Sequence, residues 1–194
     1  MTRTRNCATA AQKQSGLLML KKYLSIVLII AAVIVLDQAS KLWIDDALPR
    51  HQQIEIIPQC LHIVHVRNPG VAFGLLQNIP DSYRATLLVA TTALALVLLI
   101  VLLVQTTPSQ RLERWSLALI MGGAVGNMID RVRLGEVIDF VDVHWANLYH
   151  WPAFNVADSC ISTGITCMVL LELKRIFSSR ARKKANNHRN DTKN

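Results

Sequence analysis

Residues 23–44 read YLSIVLIIAAVIVLDQASKLWI, an apolar run that carries Asp37, Gln38, Ser40 and Lys41 only in its final third. At about 1.5 Å of rise per residue, a helix of this length covers a hydrocarbon core of about 30 Å. Residues 84–105 and 156–177 repeat the pattern. A further segment, residues 113–130 with its apolar part at 115–129, is shorter and holds Gly122, Gly123 and Gly126, which let helix backbones approach closely. The expected fold class is therefore an all-α membrane bundle of four transmembrane helices, with short β-strands and loops on the outer face.

Composition agrees. Hydrophobic residues make up 52% of the 194, and mean hydropathy is +0.30, more apolar than a soluble domain of this size needs. The net charge of +8 is compatible with nucleic-acid binding in sum but not in distribution. Arg3, Arg5, Lys13, Lys21 and Lys22 precede the first span, Arg111 and Arg114 lie between the second and third, and Lys174, Arg175, Arg180, Arg182, Lys183 and Lys184 follow the fourth. Bases beside span ends mark cytoplasmic segments held near an anionic leaflet. Segments 45–83 and 130–155 hold more acids than bases, which suits the outer side. Both termini are then expected inside, with no nucleic-acid partner.

The first run is too long for a signal-peptide core and is followed by no convincing cleavage site, so it reads as an uncleaved anchor. Residues 1–20 read as a loose polar extension, 21–177 as the membrane domain and 178–194 as a basic cytoplasmic tail. Within the first outer segment, residues 53–66 are rich in Ile, Val and Leu, as in short surface strands, and residues 68–70 (NPG) signal a turn. The apolar stretch 71–76 is expected to dip into the interface, and 136–145 to pair with this region. Trp145, Tyr149 and Trp151 form an interfacial aromatic group. Cys7, Cys60, Cys160 and Cys167 read as ordinary packing residues.

Ionisable groups at membrane depth cost roughly 2.5–3.5 kcal/mol each at a helix centre, so each must be compensated or used. Asp37 and Lys41 are four apart and can pair on one helical face, with Gln38 beside them. Asn127, Asp130 and Arg131 form a polar stripe, and Arg131 suits a peptide carbonyl or a phosphate. Asp139 and Asp158 each have mostly apolar neighbours, which raises a carboxyl pKa. If the fold brings them together they share a proton, one as base toward water and one as acid toward a carbonyl oxygen. Spacing leaves open two separate aspartates, with Asp158 capping the fourth span. No Gly-x-Ser-x-Gly elbow or His-Glu-x-x-His helix is present, and His62 and His65 read as solvated strand histidines rather than a metal pair.

Five blocks, DQASK at 37–41, NPGVAFG at 68–74, GGAVGNMIDR at 122–131, GEVIDF at 135–140 and WPAFNVADS at 151–159, resemble in order those of the bacterial lipoprotein signal peptidases (signal peptidase II). The likeness runs from about residue 21 to about residue 177. It implies an aspartic endopeptidase of the cell inner membrane that removes the signal peptide of prolipoproteins before a diacylglyceryl-modified cysteine, without metal or organic cofactor. Carried over by position, it implies Asp139 and Asp158 as the catalytic pair and Asn68, Gly70, Asn127, Arg131 and Asn155 as substrate contacts. Asp37, Lys41 and Asp130 become supporting residues, Asp130 being the rival for a catalytic role unless neighbouring arginines hold it. The chain is expected to act as a monomer, with membrane lipid and lipidated substrate as its partners. It departs from the pattern in its N-terminal extension and at Pro69 and Val71. A proton-coupled transporter, with acids at the bilayer midplane, and a non-catalytic scaffold are the alternatives.

Overall fold

Every backbone N–H and C=O in lipid must be satisfied locally, so each apolar segment has to coil into a helix. The computed structural model describes residues 2–70, 80–145 and 149–191, and it contains four such helices: α1 (Thr2–Ala47), α2 (Asp81–Gln105), α3 (Arg111–Leu134) and α4 (Val156–Asp191). Stretches long and apolar enough to cross a membrane occur in three of them, at Tyr23–Ala47, Tyr83–Gln105 and Val156–Arg180. Their outer faces expose Val27, Leu28, Val35, Leu94, Leu98 and Leu170, as lipid-facing surfaces should.

Helix α3 differs because it is the inner member. It packs against α1, α2 and α4, and buries Ser116, Leu117, Ala118, Met121, Asn127 and Asp130, so it needs no apolar coat of its own. Its glycines set the approach. A Cβ on Gly123 would lie 2.4 Å from the Ala157 carbonyl oxygen, and one on Gly126 2.6 Å from Asp37 Oδ2, so any larger residue would part these helices. The bundle core on this axis is Ile26, Leu103, Leu117, Ala118 and Met121.

The loose ends expected at 1–20 and after 178 are instead helical from Thr2 and as far as Asp191. Once a span has nucleated a helix, each added residue costs little, and Ala, Lys and Arg in these segments favour its continuation.

The strands expected within 53–66 and 136–145 are present as β1 (Gln53–Ile57), β2 (Leu61–Asn68) and β3 (Val137–Trp145), and a two-residue β4 (Tyr149–His150) follows, all antiparallel in the order β1-β2-β3-β4. Residues 71–76, expected to dip into the interface, lie outside the described residues. Ile138 and Phe140 of β3 bury against Ile44 at the end of α1, which seats the sheet on one end of the bundle. That seat fixes β3 beside the start of α4.

Candidate active site

The site assembles where β3 meets the N-terminus of α4. The first N–H groups of any helix lack intrahelical partners and attract side-chain oxygens. Asn155 caps α4: its Oδ1 accepts the Asp158 N–H at 2.9 Å, while Asp158 Oδ2 accepts the Asn155 N–H at 3.3 Å. This reciprocal box gives Asp158 the helix-capping contact that its spacing left open as the alternative to a catalytic role. A third N–H, that of Ala157, donates to Asp37 Oδ1 across the bundle at 2.9 Å.

The same Asn155 reaches β3. Its fully buried amide donates to Asp139 Oδ1 at 2.7 Å, to the Ile138 carbonyl at 3.2 Å and to Asn127 Oδ1 at 3.2 Å. One residue therefore touches both Asp139 and Asp158. Asn127 completes the frame by donating to Asp158 Oδ1 at 2.8 Å. Asn68, at the end of β2, donates to Asp139 Oδ2 at 2.8 Å and accepts the Gly70 N–H at 2.8 Å. Gly70 needs to be glycine twice over: its φ is +80°, and a Cβ would lie 2.3 Å from Leu88 Cδ1 of α2.

Asp139 is only 2% exposed. Burial pushes its carboxyl up to about 6, the charge of Asp158 pushes the same way, and hydrogen bonds from Asn68 and Asn155 pull it part-way back.

The remaining acids are committed elsewhere. Lys41 Nζ sits 2.8 Å from Asp37 Oδ2, 2.9 Å from Asp130 Oδ2 and 2.8 Å from Asn127 Oδ1. Asp130 also accepts from Gln38 Nε2 at 3.0 Å and from the Ile138 N–H at 3.3 Å. The expected Asp37–Lys41 pair is thus present. The partner of Asp130, however, is Lys41 and not an arginine, because Lys41 extends along α1 into the gap beside the small face of α3. Arg131 donates to the Asn127 carbonyl at 3.4 Å and lies within electrostatic reach of Asp158, Asp139 and Asp130. A cavity of about 320 Å³ borders Asp158, lined also by Trp151, Phe154, Ser159, Ser162 and Thr163.

His62 and His65 do not share a site. His65 is buried with Nδ1 2.7 Å from the Leu48 carbonyl oxygen, so it is not the solvated histidine expected. His62 instead meets Asp142 and His144, a grouping that only the sheet register reveals.

Comparison with known proteins decides the family. The sequence model described as Signal peptidase (SPase) II matches residues 29–174. The chain belongs to the signal peptidase II family. Proteins named lipoprotein signal peptidase from Syntrophotalea carbinolica and Geobacter metallireducens are each 44% identical to it, over 79% and 82% of this chain and 93% and 94% of theirs. A solved structure described as a bacterial membrane enzyme, determined in meso at 2.3 Å, superposes with a TM-score of 0.69 at 31% identity, covering 77% of this chain and 88% of that one. A second structure so described, at 1.9 Å, gives 0.68 at 32% identity over 77% and 93%. As a signal peptidase II this chain is an enzyme, a peptidase of the bacterial membrane, crossing it more than once.

Proposed function

We propose that this peptidase removes the signal peptide of prolipoproteins, cleaving before the diacylglyceryl-modified cysteine, with Asp139 and Asp158 as its catalytic dyad. The observation that carries the assignment is Asn155, hydrogen-bonded to both carboxylates. Asp37 and Asp130, by contrast, are ion-paired with Lys41.

In this reading Asp139, raised to about 6, holds the shared proton and donates it toward the scissile carbonyl oxygen. Asp158, whose two oxygens accept N–H groups from Asn127 and Asn155, is the base that takes a proton from the attacking water. Substrate covering the site excludes bulk water, which favours proton retention by Asp139 further. Asn68, Gly70, Asn127, Arg131 and Asn155 hold the peptide, the cavity beside Asp158 gives it room, and Asp37, Lys41 and Asp130 fix the frame. No step calls on a metal or an organic cofactor.

The enzyme acts as a monomer in the inner membrane with four spans, α3 joining the three more apolar ones, both termini cytoplasmic and the dyad near the outer face. Acids at the sheet end of the bundle favour this over a transporter, which needs them at the midplane. The substrate's own signal helix and lipid confine it to the membrane plane, so orientation is partly supplied before binding.

Prolipoprotein processing in cells, read as a gel shift, tests the assignment with Asp139→Asn, Asp158→Asn and Asp130→Asn at matched expression. Loss of cleavage in the first two supports it. Normal cleavage in either overturns it, and loss in Asp130→Asn alone transfers the role to Asp130.

A further inference from the structure

A second group of side chains lies on the sheet, apart from the dyad. Register places Glu55 of β1 opposite His62 of β2, and His62 opposite Asp142 of β3, in one cross-strand row. His144 follows Asp142 by two residues and therefore shares its face. The side chains of His62 and Asp142 are each 16% exposed and that of His144 is 5%.

Asp142 Oδ2 lies 3.8 Å from His62 Nδ1 and 3.6 Å from His144 Nδ1, and the three ligand atoms all fall within 4.8 Å of one another. Asp142 Oδ2 is nearly equidistant from the two imidazoles, at separations a few tenths of an ångström above the roughly 3.3 Å between neighbouring ligands of a tetrahedral ion with bonds of about 2.0–2.1 Å. The imidazole rings are tilted by 55° with centroids 4.3 Å apart, so their nitrogens can converge without stacking. On its far side His62 Nε2 faces Glu55 Oε1 at 3.7 Å. A carboxylate beside the second nitrogen is the usual companion of a metal-binding histidine, and at 3.7 Å the exposed Glu55 is placed to close on Nε2 once an ion on the first nitrogen fixes the tautomer.

We propose that His62, Asp142 and His144 bind a divalent transition-metal ion of the zinc class. Two imidazoles and one carboxylate select such an ion over calcium or magnesium, which take oxygen ligands. The bound ion joins β2 to β3, the strands that carry Asn68 and Asp139, and so stiffens the support of the dyad without entering its chemistry.

Tag-free, metal-stripped full-length protein in detergent is titrated with Zn²⁺ by calorimetry and with Co²⁺ by absorption. The expected result is one ion per chain, ligand-field bands of four-coordinate Co²⁺, and a Tm that rises with Zn²⁺. His62→Gln and Asp142→Asn should each weaken binding at least about tenfold, as should Glu55→Gln through the outer carboxylate. Asp139→Asn and His51→Gln should bind as the parent does. Failure to bind Zn²⁺, affinity unchanged in His62→Gln and Asp142→Asn, or loss in Asp139→Asn would each overturn the proposal. Because Glu55 is largely exposed, Glu55→Gln keeps the test decisive even where a ligand variant fails to fold.

Discussion

Replacing Lys41 by methionine should be among the most damaging changes outside the dyad. The ammonium is 1% exposed and stands between Asp37 and Asp130, which are 0% and 1% exposed, at 2.8 and 2.9 Å. Methionine fills similar space but leaves two buried carboxylates facing each other, and breaking a buried ion pair from one side costs about 3–5 kcal/mol. Solvent screening does not reduce this figure at such burial. For a chain of this length, about 2–4 °C of Tm per kcal/mol converts the loss to a drop of about 6–20 °C. Asn127 also loses a donor and with it part of the hold on Asp158, so activity should fall in the molecules that remain folded. The assay is thermal unfolding in detergent of the parent, Lys41→Met, and Lys41→Met combined with Asp130→Asn. Removing one of the orphaned charges should recover at least half of the drop. A Lys41→Met protein melting within about 2 °C of the parent, or no recovery in the double variant, would refute the reasoning.

Other consequences follow from the same contacts. Gly123→Ala drives a methyl against the Ala157 carbonyl oxygen and should cost about 1–3 kcal/mol by unfolding, more than the same change at Gly135, where φ is +77° but the space is open. Asp139 binds its proton more tightly folded than unfolded, so stability should decline as pH rises from about 4 to about 6 and stay lower above that. A rise from 3.8 to about 6 sets this decline at about 3 kcal/mol at most, and Asp139→Asn should abolish it in unfolding curves at pH 4 and 7. Asn68→Ala removes a donor that favours the ionised Asp139, so the alkaline limb of the pH profile of kcat/KM should move upward; a downward shift would contradict the role given to Asp139.

What the sequence made legible was mostly what lies within one helix or one strand. Asp37 and Lys41 pair because four residues make one turn, and the glycine run of α3 announced close packing before its partners were known. The strands inside 53–66 followed from its Ile, Val and Leu content, and the one inside 136–145 from its expected pairing with that region. Contacts between elements were not legible in this way. Nothing in spacing alone brings Asn155 to Asp139, since that depends on how β3 lies across the start of α4, and the choice between Asp139 and Asp130 rested on resemblance. Lys41 as the partner of Asp130 depends on how α1 crosses α3. The row Glu55, His62, Asp142 arises only from strand register, although the Asp142-x-His144 spacing on one strand face was a partial signal. The helical ends of α1 and α4 escaped because polar composition was read as loose chain, whereas propagation from a formed helix needs little from each residue.

The central claim is that Asp139 and Asp158 together perform the cleavage. The most direct measurement is the single-turnover rate of purified Asp139→Asn and Asp158→Asn proteins on a diacylglyceryl-modified prolipoprotein, with Tm measured on the same samples. Positioned acid or base groups contribute typically about 10²–10⁴-fold, so each variant should be slower by at least about 10²-fold while melting no lower than the parent by more than a few degrees. Cleavage within about tenfold of the parent by either folded variant would contradict the account.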